Sequence, residues 1–355
     1  MKLKILQLLC FLVAGGIFSY IINLLLLRFS KSLGIRNKND VFVRWSNESK
    51  PSLGGVSFYI VFIFSAVAYS IIFSNDNIFQ NKQYIGLFIA GTLAFAMGLA
   101  DDAYNTKPLF KLFIQILCGF LFVWTGTVIH VSTNFYLDAA ATVVWVVIIM
   151  NSLNMLDNMD GITSTVVLSI LASCLFSNWI ITDFNTSIWS ISMIAVIGAV
   201  GGFLMYNIHP SKLFMGDAGS QFIGLFVAFF AIHDLWNSGI ESGSVNWLSA
   251  FIVLVAFTPA AVDTLTVVIN RLRKGQSPMV GGKDHTTHHL VYAGLNDRTV
   301  WYVFLAISCV STILTVLMLQ LLKLKLDIAI AFFALYTVIV FIVLYRNTLK
   351  YPSKK

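Results

Sequence analysis

Long uninterrupted apolar runs dominate the chain, broken at intervals by short polar stretches. With roughly 20 residues needed to cross a bilayer, about eleven such runs can be drawn. They fall near 5–27, 53–73, 84–100, 109–128, 138–156, 161–181, 188–207, 218–235, 247–268, 299–322 and 326–345. Apolar residues follow one another within each run, without the alternation of a membrane β-barrel strand, so helices are predicted. The reading is an all-α polytopic membrane protein of about 10–11 transmembrane helices, with one integral membrane domain over 1–355. No internal repeat, low-complexity tract or soluble-domain boundary is visible. The longest hydrophilic segments are 28–52 and 269–298.

Composition sharpens this picture. Of 355 residues, 58% are hydrophobic and 11% charged, where a soluble domain carries about 25% charged residues. Mean hydropathy is +0.83. A soluble domain, a disordered chain and a disulfide-stapled scaffold are excluded. The net charge of +7 reflects the positive-inside rule and anionic lipid, not a nucleic-acid partner. When the loops alternate sides, 18 of the 23 Lys and Arg share one side. They include Arg28, Lys31, Arg36, Lys38, Arg44, Lys50, Lys107, Lys111, Arg271, Arg273, Lys354 and Lys355. Lys2, Lys4, Lys82, Lys323 and Lys325 fall on the other. The crowded side is expected to be the cytoplasm, with the N-terminus outside and the C-terminus inside. Lys2 and Lys4 ahead of an apolar run mimic a signal peptide. The run is long enough to span and no small-residue cleavage site follows, so a retained first helix is expected. Cys10, Cys118, Cys174 and Cys309 sit in apolar runs and read as packing residues.

The 16 acidic residues carry the chemistry. Asp101 and Asp102 end the third run, Asp157 and Asp160 lie between the fifth and sixth, and Asp217 between the seventh and eighth. Asp284 follows the ninth. All belong to the side rich in Lys and Arg, an ordering drawn without reference to the acids. Carboxylates at membrane depth are costly and normally functional. Several on one face suggest a divalent cation held by hard oxygens, with a phosphorylated substrate.

Each group also has a plainer reading. Asp101 and Asp102 could cap a helix end. Asn151, Asn154 and Asp157 recur every three residues along one helix face, where core hydrogen bonding competes with ligand binding. Phe214-Met-Gly-Asp217-Ala-Gly-Ser220 could be an ordinary N-cap, or a carboxylate beside free backbone N–H groups suited to a metal–phosphate complex. Lys283-Asp284-His285-Thr-Thr-His288-His289 has zinc-like spacing. Thr286 stands where a zinc hydrolase has glutamate, so imidazoles beside Arg271 and Arg273 fit an anionic substrate better. His130 and His233 are assigned no role, and His209 is ambiguous.

Together these segments resemble the polyprenyl-phosphate N-acetylhexosamine-1-phosphate transferases, the superfamily of MraY, WecA and TagO. The likeness runs from about Lys50 to about Leu295. It rests on Lys50-Pro-Ser-Leu-Gly-Gly, Asp101-Asp102 with Lys107 and Lys111, and Asn151-x-x-Asn154-x-x-Asp157-x-x-Asp160-Gly161. Asn207, the Phe214–Ser220 segment and the histidine loop complete it. The resemblance implies transfer of a sugar-1-phosphate from a UDP-N-acetylamino sugar to undecaprenyl phosphate. UMP is released, and the reaction requires Mg²⁺, with Mn²⁺ as a substitute. It implies a multi-pass protein of the inner (plasma) membrane with its site facing the cytoplasm, and is compatible with a homodimer.

By position, the resemblance implies Asp217 as metal ligand with Asp157 beside it, and Phe214 as the uracil stack. Asp160 is implied at uracil and ribose, and Asn151, Asn154 and Asn207 around the diphosphate. Lys50, Lys107, Lys111, Arg271, Arg273, Asp284, His285 and His288 are implied at phosphate or sugar phosphate. Asp101 or Asp102 is implied to act on the acceptor phosphate. Three departures stand out: Asn105 replaces a third carboxylate after Asp101-Asp102, Asn158 replaces a glycine, and Thr287 replaces a middle histidine. The histidine loop is more similar to the WecA and TagO side, which makes UDP-GlcNAc the first donor, with related UDP-N-acetylamino sugars next and UDP-MurNAc-pentapeptide third. A secondary transporter is the rival class; it is disfavoured because the acids cluster at one membrane face and no repeat is present.

Overall fold

The computed structural model of the chain describes residues 2–29, 50–73, 78–182, 187–238, 247–278 and 281–352. Lys31, Arg36, Lys38, Arg44, Lys354 and Lys355, counted in the charge asymmetry, lie outside the described residues. Among the described residues the regular structure is helical throughout, with no strand.

The apolar runs fold as α1 (Lys2–Phe29), α2 (Val56–Ile72), α3 (Lys82–Tyr104), α4 (Pro108–Trp124) and α5 (Phe135–Leu156). They continue as α6 (Ile162–Thr182), α7 (Ile188–Asn207), α8 (Gly216–Ala231), α9 (Ser249–Ala256) and α10 (Thr258–Arg273). Last come α11 (Thr286–Tyr292), α12 (Asp297–Lys323) and α13 (Asp327–Lys350). Short polar side chains start several of them. Asn81, Asn134, Ser187 and Asn296 each accept a hydrogen bond from a first-turn N–H, satisfying donors the helix leaves open. Pro108 opens α4, where its missing N–H costs nothing.

Eight of these helices are long and apolar enough to cross a membrane, counting α8 with its continuation to Trp236. The eleven predicted runs are therefore not eleven equal spans. The run predicted at 247–268 is broken: α9 and α10 meet at an angle of 81°. Pro259 enters α10 in its first turn and cannot donate the N–H that would continue α9. α2 and α4, at 17 residues each, reach about 26 Å, short of the ~30 Å hydrocarbon layer.

α8 is the axis of the bundle. It packs against α2, α3, α5 and α6, and Phe222, Phe226, Phe229 and Phe230 are fully buried along it. A helix apolar on all sides belongs at the centre. α1 lies along α7. A Cβ on Gly15 would come within 2.5 Å of the Ala195 carbonyl oxygen, and Gly198 and Gly202 press equally on α1 backbone. Small residues permit this approach, as is usual where lipid supplies no hydrophobic drive between helices. On the outside, Val13 and Ile17 of α1, Ile313 of α12 and Phe332 and Ile339 of α13 are exposed, as a lipid-facing surface requires.

Candidate active site

The C-terminal ends of α3, α5 and α10, the starts of α4 and α8, and α11 surround a cavity of about 1260 Å³. Of the side chains singled out from the sequence, all but Asp101, Arg273 and Asp284 line it.

Two distant sequence motifs form one wall. The Phe214 N–H donates to the Pro51 carbonyl at 2.9 Å, the Gly54 N–H to Phe214 at 3.0 Å, and the Gly55 N–H to Met215 at 2.9 Å. A Cβ on Gly55 would fall on the Cα of Gly219, so only glycine lets the two segments of this wall meet. Gly216 holds φ +76°, a left-handed conformation that starts α8 and turns Asp217 inward. Lys50 Nζ lies 5.5 Å from the centre of the Phe214 ring and 3.4 Å from Ser211 Oγ.

The paired aspartates divide their work. Asp102 lines the cavity, and its Oδ2 accepts from the Ala218 N–H at 2.9 Å. That first-turn amide of α8 is thus already engaged, unlike the free N–H groups expected from sequence. Asp101 is buried behind the wall. Its Oδ1 accepts from the Thr106 N–H at 2.8 Å and Oγ1 at 2.7 Å, and its Oδ2 pairs with Lys111. Lys111 also stands 3.6 Å from Asp217 Oδ2. Asp217 Oδ1 accepts from Asn154 Nδ2 at 2.8 Å, and the same amide reaches Ser220 Oγ at 2.8 Å. Asn105, which stands where the resembled family has a third carboxylate, caps α3 at φ 51°.

Other expected ligand residues are held by the protein itself. Asn207 is buried. Its Oδ1 accepts from the Gly161 N–H at 3.1 Å and Ser164 Oγ at 3.3 Å, and its Nδ2 donates to the Leu213 carbonyl at 3.1 Å. It ties two loops together at the cavity wall. Asp160 accepts from the Ser211 N–H at 3.0 Å and Oγ at 2.8 Å, with His209 Nδ1 at 3.2 Å. His209 also faces Asp297 at 3.8 Å, which gives this ambiguous histidine a place on the cavity rim. Arg273 points away: it pairs with the Tyr345 hydroxyl and lies over that ring, outside the cavity. As the last α10 residue it falls on the face turned to α13, which sequence proximity to Arg271 does not reveal.

Arg271 grips Asp284 with two parallel bonds of 2.8 and 2.7 Å and donates to the Pro278 carbonyl at 2.8 Å. Burial alone would raise the Asp284 carboxyl, but the guanidinium outweighs it and holds the group below the usual carboxylate range. His285 Nδ1 lies 2.8 Å from Asp263 Oδ2, and Asp263 Oδ1 accepts from the Thr286 N–H and Oγ1 at 2.8 and 2.6 Å. Asp263 therefore orients His285 and starts α11. Sequence reasoning missed it, although a lone carboxylate inside the 247–268 apolar run was a visible signal. Gln115 and Gln221 were missed in the same way. Thr287 Oγ1 donates to Asn158 Oδ1 at 2.7 Å, so two positions that depart from the resembled family pattern touch.

Burial, and then the neighbouring His285, push His288 from 6.5 down to about 3. The imidazole is neutral in the folded protein at physiological pH. In the unfolded chain it takes a proton below its ordinary pKa, so its contribution to stability is present above about 6.5 and lost as pH falls towards 3. His288→Asn is expected to flatten the fall in thermal unfolding temperature between pH 6.5 and pH 4 in detergent. An unchanged pH dependence would remove His288 as its source.

The donor set suits a hard cation. Among the described residues no three His, Cys, Asp or Glu side chains form a ready-made metal cage. Mg²⁺ commonly takes only one or two carboxylates, with substrate phosphates and waters completing its shell. Asp102, Asp157 and Asp217 supply carboxylates on the cavity wall, and these fit.

A helical bundle with carboxylates, lysines and an arginine around one cavity suits a membrane enzyme that handles phosphates. Residues 84–234 match the family model for glycosyl transferase family 4. The chain is 27% identical to the probable undecaprenyl-phosphate N-acetylglucosaminyl 1-phosphate transferase of Bacillus subtilis, over 70% of this chain and 67% of that protein. It is 27% identical to the decaprenyl-phosphate N-acetylglucosaminephosphotransferase of Mycolicibacterium smegmatis, over 82% and 78%. It is also 27% identical to a phospho-N-acetylmuramoyl-pentapeptide-transferase of Streptococcus agalactiae, over 62% and 72%. Over these stretches the chain is similar to the polyprenyl-phosphate N-acetylhexosamine-1-phosphate transferases.

Proposed function

We propose that the protein transfers N-acetylglucosamine-1-phosphate from UDP-GlcNAc to undecaprenyl phosphate, releasing UMP, as a sugar-1-phosphate transferase of the EC 2.7.8 type. The carrying observation is the two-sided cavity. Lys50, Lys107, Lys111 and Arg271 line it with Asp102 and Asp217, while Leu112, Val147, Ile148 and Val268 line it too. Ile148 is also exposed on the outer face of α5. Phosphate chemistry and a lipid-facing wall share one space, as a reaction between a water-soluble nucleotide sugar and a lipid phosphate demands.

An acceptor phosphate oxygen attacks the phosphorus that bears the sugar. A new phosphoanhydride bond forms, the old anhydride bond breaks, and its bridging oxygen leaves with UMP. A phosphate monoester has its second pKa near about 6, so the nucleophile is largely ionised at neutral pH. The transfer then needs alignment and charge neutralisation more than covalent catalysis. Lys111 and Lys107, at the start of α4, offset phosphate charge. Asp102 faces the cavity and is the member of the pair placed to orient the acceptor; Asp101 keeps Lys111 in position. Asp217, with Asp102 or Asp157, would hold Mg²⁺, with Mn²⁺ as a substitute. When bound, that ion supplies charge neutralisation at the diphosphate. The basic-loop asymmetry supports a cytoplasmic cavity in an inner-membrane protein.

Phe214 lines the cavity with Lys50 Nζ over its ring, and is fitted to stack a uracil ring. Stacking of a base on an aromatic is worth about 1–3 kcal/mol, so Phe214→Ala should raise the KM for UDP-sugar by about tenfold or more, with a smaller change in kcat. An unchanged KM would count against the stack.

The function is tested by UMP release from purified protein with Mg²⁺ and undecaprenyl phosphate. UDP-GlcNAc, UDP-GalNAc and UDP-MurNAc-pentapeptide are supplied separately. Release with UDP-GlcNAc that needs both lipid and metal supports the reading. Release only with the pentapeptide donor replaces the substrate, and release with none overturns the activity.

A further inference from the structure

At the inner wall of the cavity, one turn further along the same helices, three amide side chains from three helices meet; Gln115 and Asn151 line the cavity and Gln221 lies behind them. Gln115 Nε2 of α4 donates to Gln221 Oε1 of α8 at 3.1 Å and to Asn151 Oδ1 of α5 at 3.3 Å. Asn151 Nδ2 returns a bond to Gln115 Oε1 at 2.7 Å and donates to the Val147 carbonyl at 2.8 Å. Gln115 and Gln221 are each 1% exposed.

Each amide stands one helical turn from a residue of the charged cluster: Gln115 from Lys111, Asn151 from Asn154, and Gln221 from Asp217. The cluster itself is Lys111 at 3.6 Å from Asp217 and Asn154 at 2.8 Å from Asp217. The same three helices thus meet twice, once through amides and once through the groups that face substrate.

Resting on the transferase reading, we propose that Gln115, Asn151 and Gln221 are positioning residues: their shared hydrogen bonds set the height and rotation of α4, α5 and α8 so that Lys111, Asn154 and Asp217 converge. Apolar side chains would fill this volume without the cost of burying amides. Their contacts, however, change little when a helix turns by a few degrees, whereas a hydrogen bond weakens steeply with angle. Gln221 Nε2 has no hydrogen-bond acceptor among the described residues. Stability alone would therefore favour an apolar residue at that position. Asn151, which the sequence suggested as a substrate contact, lines the cavity and also belongs to this layer.

Gln221 does not line the cavity, which separates positioning from substrate contact. Gln221→Met keeps the volume and removes the hydrogen bond. It is expected to lower kcat about tenfold, with the KM for UDP-GlcNAc within about twofold and an unfolding temperature equal to or above that of the unsubstituted protein. The exchange Gln115→Asn with Asn151→Gln restores the reach of the pair and should recover most of the kcat lost in Gln115→Leu. A wild-type kcat in Gln221→Met overturns the proposal. So does a raised KM with kcat intact, or a folded exchange variant as slow as Gln115→Leu. If Gln221→Met does not fold, the exchange decides. Should the unsubstituted protein release no UMP, the functional reading fails by itself. The layer is then tested by thermal unfolding of Gln221→Met and Lys111→Met, singly and together: non-additive shifts support it, and additive shifts overturn it.

Discussion

Asp217→Asn is expected to abolish UMP release at every Mg²⁺ concentration. Asp217 sits in the first turn of α8, brought inward by Gly216 at φ +76°. Asn154 holds one of its oxygens at 2.8 Å, and Lys111 stands 3.6 Å from the other. The amide of asparagine keeps the shape but replaces a charged oxygen with an N–H donor, which repels both Lys111 and a cation. Losses of this kind at a centre that stabilises transition-state charge are about 10²–10³-fold or larger. The measurement is initial rate across a Mg²⁺ titration. A variant rescued by high Mg²⁺ would show that the carboxylate aids affinity alone, and near-normal rates at ordinary Mg²⁺ would remove Asp217 from the site.

Lys111→Met is expected to cost both activity and stability, for separable reasons. Asp101 is 1% exposed, and Lys111 is its ion-pair partner. Removing one partner of a buried pair leaves an uncompensated charge, at about 3–5 kcal/mol. Lys111 is partly exposed, so solvent screening places the loss near the lower end. The second substitution Asp101→Asn removes the orphaned charge and should restore much of the unfolding temperature. It should not restore turnover, because the cation that faces phosphate is still missing. Recovery of both together would mean that Lys111 acts only through the fold; recovery of neither would detach Asp101 from the role of holding it.

Much of the architecture was legible because lipid allows a chain few choices. Backbone groups without water must bond within a helix, so length and apolarity locate α1, α3, α5 to α8, α12 and α13 with small errors at their ends. The same economy exposes the site: in a chain with so few charges, the carboxylates and lysines that remain stand out, and charge alternation sorts them to one face. Asp102, Lys111, Asn154 and Asp217 could be chosen as candidates on these grounds alone.

The break between α9 and α10 was less legible. A hydropathy window averages over Pro259 and over the polar face of α10, where Asp263, Thr266 and Asn270 lie. What each candidate touches was not legible at all, because hydrogen bonds between helices join residues far apart in the chain. Asn207 reads as a ligand in sequence, and only the structure shows that it also fastens two loops. Arg273 stands two residues from Arg271, yet the helical twist turns it away. The two members of Asp101-Asp102 are indistinguishable in sequence, and only packing sends one behind the wall and the other into the cavity. Sequence by itself determined the membrane class, the helices and the set of chemical groups, since these follow from local apolarity and composition. Tertiary structure alone decided which groups face a common space and which hold them there, since that depends on the rotation of one packed helix against another.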